Sequence, residues 1–136
     1  MGNGVLVRSL LGQTEQETMN DCSCDYEVPE FFTKETRKAK KRRRCTECRR
    51  FIQPGEAYEH VFGKWDGYVS AFETCSICLD IRQHTLSIIP CFCSSYGDLI
   101  RDALDELWYY KCENPGAWFK VARLAVTADR LRRGEA

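Results

Sequence analysis

The sequence predicts a small α+β protein built around a zinc site, and three observations predict it. Cys45-Thr46-Glu47-Cys48 is answered by Cys75-Ser76-Ile77-Cys78. Between the two pairs, strand-like runs flank an Asp66-Gly67 turn. After the second pair, Ile77, Cys78, Ile81, Thr85, Ile88 and Ile89 recur at helical spacing until Pro90 stops them. Each Cys-x-x-Cys bends tightly enough to present two thiolates to one ion, and two such pairs complete a tetrahedron of sulfurs. Residues 49–74 are a longer spacer than the usual zinc-ribbon range, which leaves room for a β-hairpin. Disulfides or free core thiols are the competing reading, and a motif duplicated around a hairpin weighs against them.

At 136 residues the chain has room for one domain, or for a metal-nucleated core with appendages. A hydrophobic content of 43% with 29% charge is ordinary for a globular protein and argues against wholesale disorder. No apolar run approaches the ~18–20 residues of a membrane span, so no membrane association is expected. The first eleven residues lack a secretory core and cleavage site, which reads as a cytoplasmic protein. Nine cysteines, an odd number without a signal peptide, then favour reduced thiols on metal.

The organisation expected is a weakly ordered tail over 1–20, a cysteine-rich zinc-binding core over 21–95 and a helical C-terminal extension over 96–136. Within the core, Cys22-Ser23-Cys24 comes first and Pro29 disfavours a helix. Residues 34–50 then carry ten basic side chains against two acids, while the whole chain has zero net charge. Lys38, Lys40, Lys41, Arg42, Arg43 and Arg44 form either a phosphate-binding strip or a solvated lead-in whose cations balance a four-thiolate site. Strands are expected over Ala57–Phe62 and Tyr68–Phe72, joined by the turn from Gly63 to Gly67. Thr74 is the expected N-cap of the following helix, putting Cys75 and Cys78 in its first turn, where the helix dipole favours thiolates. Cys91-Phe92-Cys93 repeats the spacing of Cys22 and Cys24, so these four suggest a second zinc site, with buried cysteines as the alternative. A helix from Leu99 with Ala103, Leu107 and Trp108 on its apolar face follows. The segment from Trp118 to Arg133 has helical intervals, although Val121 and Val126 also permit a strand.

A knuckle, a hairpin and a helix whose first turn supplies the last two ligands resemble the treble-clef zinc finger. The resemblance covers Cys45 to about Ile89 and carries the ligand role to Cys45, Cys48, Cys75 and Cys78 only. The treble clef is also the core of HNH-type nucleases. Glu59-His60 falls where that family has its acid-His pair, and His84 lies on the helix where another metal-binding side chain would project. The likeness implies phosphodiester hydrolysis with His60 as general base. Glu replaces the family's Asp, however, the Asn expected before the helix has no counterpart, and His60 alternates with Tyr58 and Phe62 as a packing residue would.

The chain is also similar to small, cysteine-rich bacteriophage and prophage proteins. The similarity lies in Cys24-Asp25-Tyr26, Pro29-Glu30-Phe31-Phe32, Arg44 to Cys48, Gly55 to His60, Gly63 to Gly67, Phe72 to Cys75 and Pro90 to Cys93, and spans about residues 20–132. It implies action inside an infected bacterium, on nucleic acid or on a host protein. The expected function is therefore a zinc-stabilised binding or adaptor protein using the strip over 34–50, with a degenerate HNH-like nuclease as the alternative. Trp65, at the hairpin tip, either stacks on a base or partner pocket, or folds back over the zinc site.

Overall fold

The computed structural model describes residues 29–110 and 112–135. In chain order these form β1 (Phe31–Lys38), β2 (Arg43–Arg44), β3 (Phe51–Ile52), β4 (Ala57–Trp65), β5 (Tyr68–Cys75), α1 (Ser76–Ile88), α2 (Leu99–Tyr109) and α3 (Pro115–Arg133). The class is α+β: an antiparallel sheet in the order β1-β4-β5, a small β2-β3 ribbon and three helices. The tail expected over 1–20, with Cys22 and Cys24, lies outside the described residues.

The β4-β5 hairpin is tighter and longer than the sequence suggests. Asp66 (φ +50°) and Gly67 (φ +81°) alone make the turn, the two left-handed residues that a type I′ connection needs. The ladder therefore runs out to Trp65 opposite Tyr68, and back to Tyr58 opposite Cys75. Gly63 belongs to the strand, not to the turn. A Cβ there would sit 2.8 Å from both the Phe31 carbonyl oxygen and Phe32 Cβ, so glycine lets β1 close on β4.

The sequence-based lead-in over 34–38 is in fact strand. β1 pairs with β4 over its whole length, from Phe31 opposite Lys64 to Lys38 opposite Ala57. Every β1 residue is exposed, and its charged side chains Lys34, Glu35, Arg37 and Lys38 suit a sheet edge.

Helix α1 starts later than expected. Thr74 is buried in the ladder opposite Glu59, so the strand runs three residues past Phe72 to Cys75, which becomes the N-cap. Only Cys78 lies in the first helical turn. Helix α2 buries Leu99, Ala103 and Leu107, whereas Trp108 is half-exposed and packs edge-on against Trp118 at 5.4 Å. Helix α3 begins at Pro115, where a missing N–H costs nothing. The strand alternative for its centre is overturned: Val121 is fully buried and Val126 is exposed, as helical spacing demands.

One continuous core joins the elements. Ile81, Ile89, Leu99, Ala103, Leu107, Ala117 and Val121 meet between the helices, and the cluster runs on through Tyr58 and Ile52 to Cys45, Cys75 and Cys78. Alanines at the helix contacts let the helices approach closely.

Candidate metal centre

The knuckle connecting β2 to β3 supplies the first two sulfurs. Cys45 N–H donates to the Arg50 carbonyl (2.9 Å) and Arg49 N–H to the Cys45 carbonyl (3.1 Å), with Arg49 in the left-handed region at φ +69°. This closed turn brings Cys48 round to the side of Cys45. Thr46 fastens the knuckle to β5: its N–H donates to the Glu73 carbonyl (2.7 Å), and its hydroxyl accepts from Glu73 N–H (3.0 Å). The junction of β5 with α1 supplies Cys75 and Cys78.

The four ligand atoms all lie within 4.8 Å of one another. Cys45 and Cys78 are 3.9 Å apart and Cys48 and Cys75 3.6 Å apart, sulfur to sulfur. Thiolates ~2.3 Å from a tetrahedral ion have edges of about 3.8 Å, and these two separations fall close to that value. Cys45, Cys75 and Cys78 have no exposed surface, and Cys48 is partly buried. These residues are positioned to bind one metal ion.

Electrostatics point the same way. Four buried sulfurs this close cannot all ionise unaided. A hydrogen bond from Cys48 lowers Cys45 to about 6, and hydrogen bonds from Cys45, Cys48 and Cys78 drive Cys75 well below the thiol range. Cys48 and Cys78 are pushed up, foremost by their hydrogen bonds with Cys45. A bound cation resolves this competition. The N–H groups of Glu47 and Cys75 also aim at Cys45 Sγ, each at 3.4 Å. Arg50, 5% exposed, adds a buried guanidinium bonded to Glu56 at 3.0 Å and facing Cys75. Sequence reasoning grouped Arg50 with the surface strip, and nothing in its spacing marks it as the cation turned inward.

Glu47, between the first two ligands, reaches the other end of the molecule. Its carboxylate accepts from Gly97 N–H and Leu99 N–H, all at 3.0 Å, at the start of α2. Burial nevertheless raises its pKa, with the two N–H bonds opposing that shift.

The remaining expected residues are dispersed. His60 Nδ1 lies 3.0 Å from Glu73 Oε2, and Glu59 is held by Arg82 at 2.5 Å. His84 lies in an open cleft of about 370 Å³ between α1 and α3, with Asp80, Gln83, Lys120 and Leu124. Among the described residues, no group of three or more metal-ligating side chains includes either histidine. Trp65 folds back onto the sheet, edge-on to Phe72 (5.6 Å) and Tyr96 (6.4 Å). Of the expected second site, Cys91 and Cys93 lie just beyond α1, and the other two cysteines lie outside the described residues.

Of the basic strip, Lys38, Lys40, Lys41, Arg42 and Arg44 are exposed and Arg43 is half-buried against Glu73 at 3.6 Å. The guanidinium groups of Arg42 and Arg44 lie over the Phe51 ring, 4.0 and 3.9 Å from its centre. The strip thus rims the knuckle that the cysteines define. No helix among the described residues is long and apolar enough to cross a membrane. No family model, curated protein or solved structure matches the chain.

Proposed function

We propose that the protein is a zinc-stabilised, treble-clef-like module that binds the phosphate backbone of nucleic acid. The observation that carries the reading is the rim of exposed cations, Lys38, Lys40, Lys41, Arg42, Arg44 and Arg49, around the turn that holds Cys45 and Cys48. Zinc suits four thiolates and a closed shell, which makes the ion structural rather than catalytic. The ion shapes the knuckle and the knuckle carries the cations. With the phage-type resemblance, the reading extends to action inside an infected bacterium.

Two experiments test it. Protein purified without added metal should carry about one zinc ion per chain, and chelation should release four thiols. A second ion with four more thiols would add the centre at Cys22, Cys24, Cys91 and Cys93. Binding of a fluorescent 20-nucleotide DNA should weaken steeply with salt, and replacing Lys40, Lys41 and Arg42 by Ala should flatten that slope. Salt-independent binding, or none at low salt, would sink the nucleic-acid reading.

A host-protein contact is favoured by a different observation. Phe31 and Phe62 lie 6.2 Å apart on one sheet face, 47% and 40% exposed, with Val69 beside them in the ladder. Such a contact would survive the loss of the three cations. The HNH-like alternative has less behind it, because Glu59 is committed to Arg82 and His60 to Glu73.

A further inference from the structure

At the head of β3 a carboxylate sits where the proposed ligand would place a phosphate. Glu135, two residues beyond the end of α3, accepts a hydrogen bond from Phe51 N–H through Oε2. Its Oε1 lies 3.7 Å from the Arg44 guanidinium, too far for a hydrogen bond, and is buried with no hydrogen-bond partner. The Glu135 side chain is 14% exposed, in the middle of the most basic surface of the chain. Around it, Arg42 and Arg44 lie over Phe51, and Arg44 also donates to the Arg49 carbonyl, which fixes its direction.

A backbone N–H and a guanidinium converging on one anionic group are the donors that protein–nucleic acid contacts use for phosphate oxygens. Phe51 N–H is a fixed donor, because its strand is paired with Arg44. Glu135 satisfies it but leaves one oxygen unbonded. A phosphate group has more oxygens and more charge to offer the same two donors.

We infer that Phe51 N–H and the Arg44 guanidinium form a phosphate-binding seat, which Glu135 occupies in cis and which a nucleic-acid phosphate takes by displacing it. The inference rests on the nucleic-acid reading above for its ligand, although the seat itself can be tested with inorganic phosphate. Opening the seat frees one cation, so one more phosphate is neutralised per bound chain.

The test uses the full chain, zinc-loaded and 15N-labelled, titrated with inorganic phosphate at constant ionic strength. In Glu135→Gln the Phe51 amide resonance should move saturably at millimolar phosphate, with an apparent affinity at least about tenfold tighter than in the unmodified chain. Asp129→Asn removes the same charge from the last turns of α3 and should leave the Phe51 response unchanged. Equal responses in Glu135→Gln and the unmodified chain would overturn the seat, as would an equal gain in Asp129→Asn. Thermal melts of both variants exclude a merely loosened fold. The 20-nucleotide DNA separates the two readings. If Phe51 responds to phosphate but neither chain binds the DNA, the seat stands and the nucleic-acid function fails. If both bind DNA but Phe51 ignores phosphate, the function stands and the seat fails. If both hold, Glu135→Gln should bind the DNA several-fold more tightly, with a log–log salt slope steeper by about one.

Discussion

The knuckle end and the helical end of this molecule are held together by different means. Around Cys45, Cys48, Cys75 and Cys78 the apolar side chains are few: Ile52 and Tyr58 are the large buried ones nearby, and charged groups such as Arg50 are folded in among them. Between α1, α2 and α3, by contrast, Ile81, Leu99, Leu107 and Val121 interlock with alanines as in an ordinary helical core. A two-residue ribbon such as β2-β3 has little backbone pairing of its own, and four cysteines positioned to bind one metal ion stand where apolar surface is scarce. The helices depend on burial. The contrast teaches that a site able to hold an ion and a packed apolar core can share one small fold, with the cysteine cluster placed where apolar surface is scarce.

The contrast can be broken most directly at the ligands. Chelation, or Cys78→Ser, should cost the knuckle end most of a structural-zinc binding energy, roughly 10 kcal/mol or more at neutral pH. Heteronuclear NMR should then show collapsed dispersion for residues 39–52. Acidification should act in the same direction, because the ligands bind as thiolates and protons compete with the ion. Fluorescent zinc release on lowering the pH would report it.

A smaller loss is expected at the other end. Leu107→Ala should cost about 2–5 kcal/mol, through lost burial and a residual cavity, in a denaturant titration. Its zinc content should stay at the unmodified level. If Leu107→Ala released zinc as readily as Cys78→Ser, the two ends would be a single cooperative unit and the contrast would fail.

Glu47 sharpens the comparison, since it is the polar link between the ends. Glu47→Gln replaces a charged acceptor of the Gly97 and Leu99 amides by a neutral one. The expected cost is about 1 kcal/mol, the smallest of the three, because burial already penalises the charged carboxylate. Hydrogen exchange at Gly97 and Leu99 should quicken while zinc content is unchanged. Faster exchange that spread into residues 45–50 would show that the link also steadies the knuckle.

Local chemistry made parts of this fold legible and long-range pairing hid the rest. Cys-x-x-Cys is a self-contained signal, and Asp66-Gly67 announces a hairpin wherever it falls. The helical extension was readable because Leu99, Ala103 and Leu107 repeat at helical spacing. β1 was not, since Lys34, Glu35, Arg37 and Lys38 lack strand propensity and are ordered by β4 alone. Arg50 could not be distinguished from Arg42 because they are the same residue type in the same basic run, and only burial separates them. The contact of Glu135 with Phe51 joins residues 84 positions apart, which no local pattern reports. The helix was placed one residue early at Thr74 because a good capping residue was also a good strand residue, and the sheet won.

The position of the ligands along the chain carries a consequence for how the protein is made. All four cysteines precede α2, and Cys78 is only three residues into the helix-forming segment α1. During synthesis, at ~5–20 residues per second, the complete ligand set leaves the ribosome seconds before the last residues of α3 are joined. The ion can therefore close the knuckle on a nascent chain, and the carboxylate of Glu47 is already in place when Gly97 and Leu99 arrive to be caught by it. An ion bound at that stage would give the helical end a finished surface on which to be laid down.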